Sequence, residues 1–385
     1  MKRVGCIGLV VCLLAVMLPL TVRGESLEVE AKSALLMDVA TGTVLFEQNA
    51  HEPLAPASVT KVMTMLLIME AVADGRIGWQ DTVTASETAA AKGGSQIYLK
   101  VGEQMSVADM VKSIAVSSAN DCACAMAEYI SGSEEAFVEA MNRRAEELGM
   151  NDTHFVNCTG LDDGPEAASH KTSAYDIALM SRQLLKYHSQ IKDYTTIWMD
   201  TVRDGTFGLS NTNKLIRFYP GATGLKTGFT SGAGYCLSAS AQREELELIA
   251  VVMGCETSQK RFAACKTLLD YGFANFALVV PALPEDTAVP VKLGEVDTVA
   301  AELSGEETLL IRKEQKSQIR TQLTLEPEVS APVRQGQRLG TLEILAGQHL
   351  LAQIPLVAAA PVEKLSFGKL LLQVLDWSLS APKFP

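Results

Sequence analysis

The chain has 385 residues, 48% of them hydrophobic, so it can bury a sizeable core and is long enough that two domains are expected. A formal net charge of −12 and the lack of any basic stripe argue against a nucleic-acid partner, which needs clustered Lys and Arg. The 5 His residues show no ligand spacing with one another or with Cys, so no metal and no other cofactor is expected.

Met1-Lys2-Arg3 precedes an apolar run from Val4 to Leu20 that closes on Val22-Arg23-Gly24. This is the pattern of a secretory signal over residues 1–24, cleaved after Gly24. An uncleaved anchor is the alternative, since the run has about the minimum length for spanning. In either case the working part of the chain is exported, to the outer face of the cytoplasmic membrane. Cys6 and Cys12 belong to this segment. Among the other six Cys residues, Cys122 and Cys124 point apart on a predicted helix, and Cys236 and Cys255 face each other across a predicted hairpin. Free buried thiols are expected.

Residues 33–38 and 43–47 read as short strands joined by Ala40-Thr41-Gly42. A helix that is apolar nearly all round follows from Val62 to Met69, which places it in the middle of a domain, and Asp74-Gly75 ends it. Further helices are predicted over 107–115, 121–130, 134–148 and 173–187, then strands over 234–241 and 246–253 with Arg243-Glu244-Glu245 in the turn. Strands, then helices, then strands describe an α+β domain, with helices packed on an antiparallel sheet whose first and last strands are neighbours. Beyond Phe276, Pro281, Pro284 and Pro290 separate short alternating runs at 308–312, 319–325 and 340–345, which indicate a small all-β sandwich. From Leu365 to Leu379 the chain is apolar except for Ser366, Lys369, Gln373, Asp376 and Ser380, which stack as one polar stripe on a helix. That helix is too short to span and is expected to lie on the membrane surface, with docking on its own domain as the alternative. The units are therefore 1–24, 25–276, 277–361 and 362–385.

Three clusters carry chemistry. Ser58-Val59-Thr60-Lys61 is one of four S-x-x-K patterns, the others starting at Ser189, Ser366 and Ser380, but it alone opens a buried helix. Ser118-Ala119-Asn120 and Lys226-Thr227-Gly228 each occur once as S-x-N and K-T-G. Pro56-Ala57 puts Ser58 on the first turn of the apolar helix, with Lys61 one turn on. A serine hydroxyl needs a base, and a lysine serves as one when burial or a second cation, here Lys226, lowers its pKa. Ser118 sits where it can relay a proton to a leaving amine, and Asn120 where it can bond a peptide group. Lys226 and Thr227 suit a carboxylate, at the start of a strand where Gly228 leaves room for a substrate backbone to lie alongside. Backbone N–H groups of Ser58 and Phe229 suit an oxyanion hole.

The three motifs in this order resemble the active site of penicillin-binding proteins and serine β-lactamases. Their contexts, Pro56-Ala57-Ser58-Val59-Thr60-Lys61, Ser117-Ser118-Ala119-Asn120-Asp121, Asn211-Thr212-Asn213-Lys214 and Gly224-Leu225-Lys226-Thr227-Gly228-Phe229-Thr230, are similar to those of the low-molecular-mass D-alanyl-D-alanine carboxypeptidases. The resemblance covers the whole chain, because signal, catalytic domain, β domain and amphipathic tail stand in that family's order. It implies a penicillin-binding-protein-like fold, hydrolysis of the terminal D-Ala from peptidoglycan stem peptides, and binding of β-lactams. By the same likeness Ser58 is the acyl-enzyme nucleophile, Lys61 its base, Ser118 the proton relay and Lys226 a substrate-binding cation. Arg261, after the second strand, suits either the substrate's terminal carboxylate or a surface salt bridge. The stretch 160–176 resembles the loop bordering that family's cleft and places His170 on its rim.

A β-lactamase shares the clusters, but its commonest class deacylates with a Glu in an E-x-x-L-N loop. The nearest match, Glu147-Leu148-Gly149-Met150-Asn151, stands too close to Ser118 and reads as coincidence. A non-hydrolytic penicillin-binding wall sensor is the second alternative, against which the intact serine and lysine argue. A cross-linking transpeptidase is the third.

Overall fold

The structure, a computed structural model, describes residues 27–164, 166–305, 308–369, 371, 372 and 375. The expected signal and most of the expected terminal helix lie outside the described residues. Five strands form the central sheet: β1 (Ser33–Asp38), β2 (Val44–Gln48), β3 (Ala222–Thr230), β4 (Gly234–Arg243) and β5 (Leu246–Cys255). Their order is β2-β1-β5-β4-β3, antiparallel throughout, so the first and last strands in sequence pair, from Ser33 opposite Met253 to Asp38 opposite Leu248.

Both faces of this sheet are covered. Leu35, Met37, Ile249, Val251 and Met253 point into one core, and their neighbours Ala34, Leu36, Leu248, Ala250 and Val252 into another. The period of two along a strand thus delivers apolar side chains to both sides, which is why β5 reads as an unbroken apolar run.

The larger core holds α1 (Lys61–Ala73), whose residues from Lys61 to Met69 are all buried, packed by α2 (Val107–Ser117), α3 (Asn120–Ser131), α4 (Glu134–Glu147) and α5 (Ala174–Tyr187). The opposite face is covered by α6 (Ser258–Asn275). Helix starts are set by side chains: Ser106, Ser133, Ser173 and Thr257 accept the N–H groups of Asp109, Ala136, Asp176 and Lys260 at 3.1–3.2 Å.

The all-β part is built around a third core that includes Val289, Leu342, Ile344, Ile354 and Leu356. Its six strands follow one hydrogen-bonded order, Ile319–Leu325, Arg338–Ala346, His349–Ala358, Thr298–Leu303, Ala288–Lys292 and Val329–Ser330, rather than forming two separate sheets. A further pairing of Phe276–Val279 with Leu309–Arg312 joins the end of the catalytic part to this unit. No helix among the described residues is long and apolar enough to cross a membrane. At the C-terminal end Lys369 pairs with Glu295 at 2.7 Å, while Phe367, Leu371 and Leu372 are exposed.

Candidate active site

Ser58 and Lys61 meet at the entrance to α1. Ser58 lies in a 3-10 turn, Ala57–Thr60, that precedes the α-helix rather than forming its first turn, and Lys61 is the first residue of α1. Side chains three apart eclipse in a 3-10 turn, so the correction brings the two groups closer in direction. Lys61 Nζ is 3.0 Å from Ser58 Oγ and donates to the Thr159 carbonyl at 2.7 Å. Burial pushes Lys61 down to about 7 against the opposing pull of Cys158 and Asp121, so the amine is half neutral near neutrality. The second cation that the sequence suggested as a cause is not needed.

Ser118 ends α2 in the left-handed region, φ 64°, and Asn120 begins α3 two residues later. Asn120 donates through Nδ2 to the Gly93 carbonyl at 2.7 Å, and its backbone N–H donates to Ser95 at 2.7 Å. The Asp121 carboxylate accepts the N–H groups of Ile97 and Leu99, which fixes the 93–99 segment beside the motif. Ser118 Oγ and Asn120 Oδ1 are buried with no hydrogen-bond partner. Buried polar atoms left unpaired are costly.

Lys226, Thr227 and Gly228 lie in the middle of β3, not before it, and β3 is the sheet edge. Lys226 is 1% exposed, and its amine donates to the Thr227 carbonyl at 2.9 Å. Burial, with the nearby Lys61 and Arg261 charges, holds it well below the usual lysine range. Thr227 donates to the Thr212 hydroxyl at 2.6 Å. A side chain at Gly228 would meet the chain itself: a Cβ would stand 2.6 Å from the Pro56 carbonyl and 3.1 Å from the Val59 nitrogen. The glycine lets β3 press on the turn that carries Ser58. Phe229 is exposed, its ring stacked 4.3 Å from that of Tyr235.

Arg261 is 6% exposed and forms no ion pair among the described residues, which disposes of the surface salt bridge. Its Nη1 donates to the carbonyls of Gly228, at 3.0 Å, and Cys236, at 3.2 Å, while Nε has no partner.

The segment 153–173 closes the other side, and its contribution was not foreseen beyond a bordering role. Asn157 Oδ1 accepts the N–H of Gly160 at 2.6 Å and the N–H and hydroxyl of Thr159, each at 3.1 Å, a tight turn that presents the Thr159 carbonyl to Lys61. His170 is buried rather than on the rim. Its Nδ1 accepts from the Val156 N–H at 3.1 Å, and Nε2 lies 2.8 Å from the Thr60 hydroxyl. Satisfied on both nitrogens, the ring stays neutral, with burial pushing its pKa down to about 4. The nearest match to a β-lactamase loop is spent elsewhere, since Glu147 pairs with Arg144 at 2.8 Å on the surface. All six described cysteines are free and buried.

A serine with a half-neutral lysine beside it, against a lysine-bearing strand, in a chain that also carries the S-x-N motif, defines an active-site-serine acyl-transfer enzyme of the kind that penicillins acylate. The chain belongs to the D-alanyl-D-alanine carboxypeptidase family, whose model matches residues 20–257, and residues 281–364 match the model of the penicillin-binding protein 5 C-terminal domain. It is 43% identical to the D-alanyl-D-alanine carboxypeptidase DacF of Bacillus subtilis, covering 92% of each chain. Penicillin binding protein 5 from Haemophilus influenzae superposes with a TM-score of 0.75 at 30% identity, over 88% of this chain and 98% of that one. Penicillin-binding protein D2 from Listeria monocytogenes, solved in its ampicillin-bound form, superposes at 0.56 and 31% identity over 64% of this chain and 99% of that one. Serine-type D-Ala-D-Ala carboxypeptidase activity on peptidoglycan, at the cell wall, and β-lactam binding follow from this membership; the β-lactamase and wall-sensor readings are not favoured.

Proposed function

We propose that Ser58 is the nucleophile, Lys61 its base, Ser118 the relay to the leaving group and Lys226 the cation that meets the substrate's terminal carboxylate. The 3.0 Å approach of a buried, half-neutral Lys61 to Ser58 is the observation that carries this reading. Lys61 takes the Ser58 proton as Oγ attacks the carbonyl of the penultimate D-Ala. The C–N bond then breaks, and the departing D-Ala nitrogen receives a proton through Ser118. Water attacks the resulting ester, Lys61 again taking the proton, and Ser58 leaves with it restored. The N–H groups of Ser58 and Phe229 stabilise the oxyanion in both steps. Asn120 Oδ1 accepts a substrate peptide N–H, and the substrate backbone adds to the edge of β3 around Thr227 and Gly228. Arrival of the carboxylate favours the charged form of Lys226, with Arg261 adding positive charge behind the strand.

Release of free D-Ala from a stem pentapeptide tests the reading, and Ser58→Ala abolishes it. Wild-type protein that acylates with a labelled penicillin yet releases no D-Ala would overturn hydrolysis as the reaction.

Export by residues 1–24 and attachment through 362–385 belong to the same proposal. Exposed Phe367, Leu371 and Leu372 support a membrane-facing apolar side for the terminal segment. Flotation with anionic lipid vesicles of the mature chain, and not of a chain ending at residue 361, is the expected result.

A further inference from the structure

A chain of hydrogen bonds reaches the nucleophile from behind. Val156 N–H occupies His170 Nδ1, so the ring hydrogen is on Nε2 and is donated to Thr60 Oγ1; the Thr60 hydroxyl hydrogen then goes to the Ala57 carbonyl at 2.9 Å. That carbonyl is one end of a planar unit whose other end is the N–H of Ser58. In a trans peptide the two groups point in opposite directions, so fixing the oxygen aims the N–H. Ala57 holds a left-handed φ of 49°, which a non-glycine residue adopts only when its surroundings impose it.

The surroundings are specific. Gly160, with φ 80°, lies so close that a Cβ on it would stand 1.9 Å from the Ala57 oxygen and 2.7 Å from Thr60 Oγ1. Gly228 presses on the Pro56 carbonyl of the same turn, where a Cβ would stand 2.6 Å away. Thr60 and His170 are 0% and 4% exposed, so bulk solvent does not reach these bonds.

We propose that His170 and Thr60 are positioning residues that act together through the Ala57 carbonyl to aim and polarise the Ser58 N–H as an oxyanion donor. They touch no substrate. The proposal rests on the assignment of Ser58 as nucleophile and of its N–H as an oxyanion donor.

Thr60→Val keeps the shape but cannot pass the bond on; Thr60→Ser can. His170→Leu removes both ring nitrogens, whereas His170→Gln retains one donor and one acceptor. Stopped-flow acylation with a labelled penicillin separates the initial dissociation constant from the acylation rate, normalised to active sites by mass spectrometry. Removal of an oxyanion donor costs about 10²–10³ in rate, and misaiming one is expected to cost about 10-fold to 100-fold. Thr60→Val and His170→Leu should each lose that much in acylation rate with the initial dissociation constant within about twofold of wild type. Thr60→Ser and His170→Gln should recover most of the rate, and the Thr60→Val/His170→Leu double variant should be no slower than the slower single one.

A general packing role would instead lower the melting temperature and the fraction of active sites while leaving the rate per site unchanged. That result, or losses that multiply in the double variant, would overturn the proposal. Wild-type protein that is not acylated at Ser58 would instead sink the nucleophile assignment itself, so the two failures are distinct.

Discussion

Lys61 Nζ donates to the backbone carbonyl of Thr159 at 2.7 Å while standing 3.0 Å from Ser58 Oγ. A neutral amine has two hydrogens and one lone pair, so tying a hydrogen to a fixed carbonyl turns the lone pair toward the serine. In the role proposed for it as base, the amine is oriented by a peptide oxygen as well as tuned by burial.

The acylation rate should therefore follow the neutral fraction of Lys61. Its pKa near 7 predicts a rate that rises about tenfold per pH unit below 7 and levels above it, measured with a labelled penicillin. Lys61→Arg, which keeps the charge but stays protonated, should lose about 10³-fold or more in rate.

Gly160→Ala places a methyl group against the Ala57 carbonyl at a left-handed backbone position. Neither side can yield without moving the nucleophile turn. A loss of about 3 kcal/mol or more in unfolding free energy is expected, together with loss of acylation in whatever remains folded, read by denaturant titration and penicillin labelling.

His170 makes stability depend on acid. The unfolded chain takes up a proton near 6.5, but the folded one resists until about 4, chiefly through burial, to which the neighbouring His154 and Lys61 add. Stability present above 6.5 is lost as pH falls through this window, by about 3 kcal/mol at most from this group. His170→Gln should flatten that part of the profile of unfolding free energy against pH.

Arg261→Met removes the buried donor shared by the Gly228 and Cys236 carbonyls, whose residues stand opposite each other on adjacent strands. About 3 kcal/mol of destabilisation is expected. The preference for a substrate with a terminal carboxylate over its amide counterpart should also shrink or disappear, since positive charge near Lys226 is lost; turnover of both peptides checks this.

Much of this site was legible because its main pairs are local. Ser58 and Lys61 are three apart, and Ser118 and Asn120 flank one turn, so residue type and spacing carry the geometry. Thr159 is different: it contributes a carbonyl from 98 positions away, and any residue has a carbonyl. His170 was misplaced because its loop borders the cleft, whereas its two nitrogens are satisfied inward.

Helix α6 escaped the sequence for a compositional reason. Its buried stripe of Arg261, Ala264, Cys265, Leu268, Leu269, Gly272 and Phe273 keeps helical spacing but includes few strongly apolar residues. In the β unit, Pro355 interrupts the longest strand, His349–Ala358, and masks its alternation. Strands such as Ile319–Leu325, with no such break, were read directly.

The two glycine contacts on the turn at Ala57, from Gly160 and Gly228, come from segments about a hundred and more residues downstream. Before those segments dock, Ser58 is an ordinary hydroxyl next to an ordinary, protonated lysine. Reactivity toward a penicillin is thus a property acquired only when folding is complete, and a nascent or unfolded chain passes its surroundings chemically silent. Labelling by a penicillin then counts finished molecules, not polypeptide.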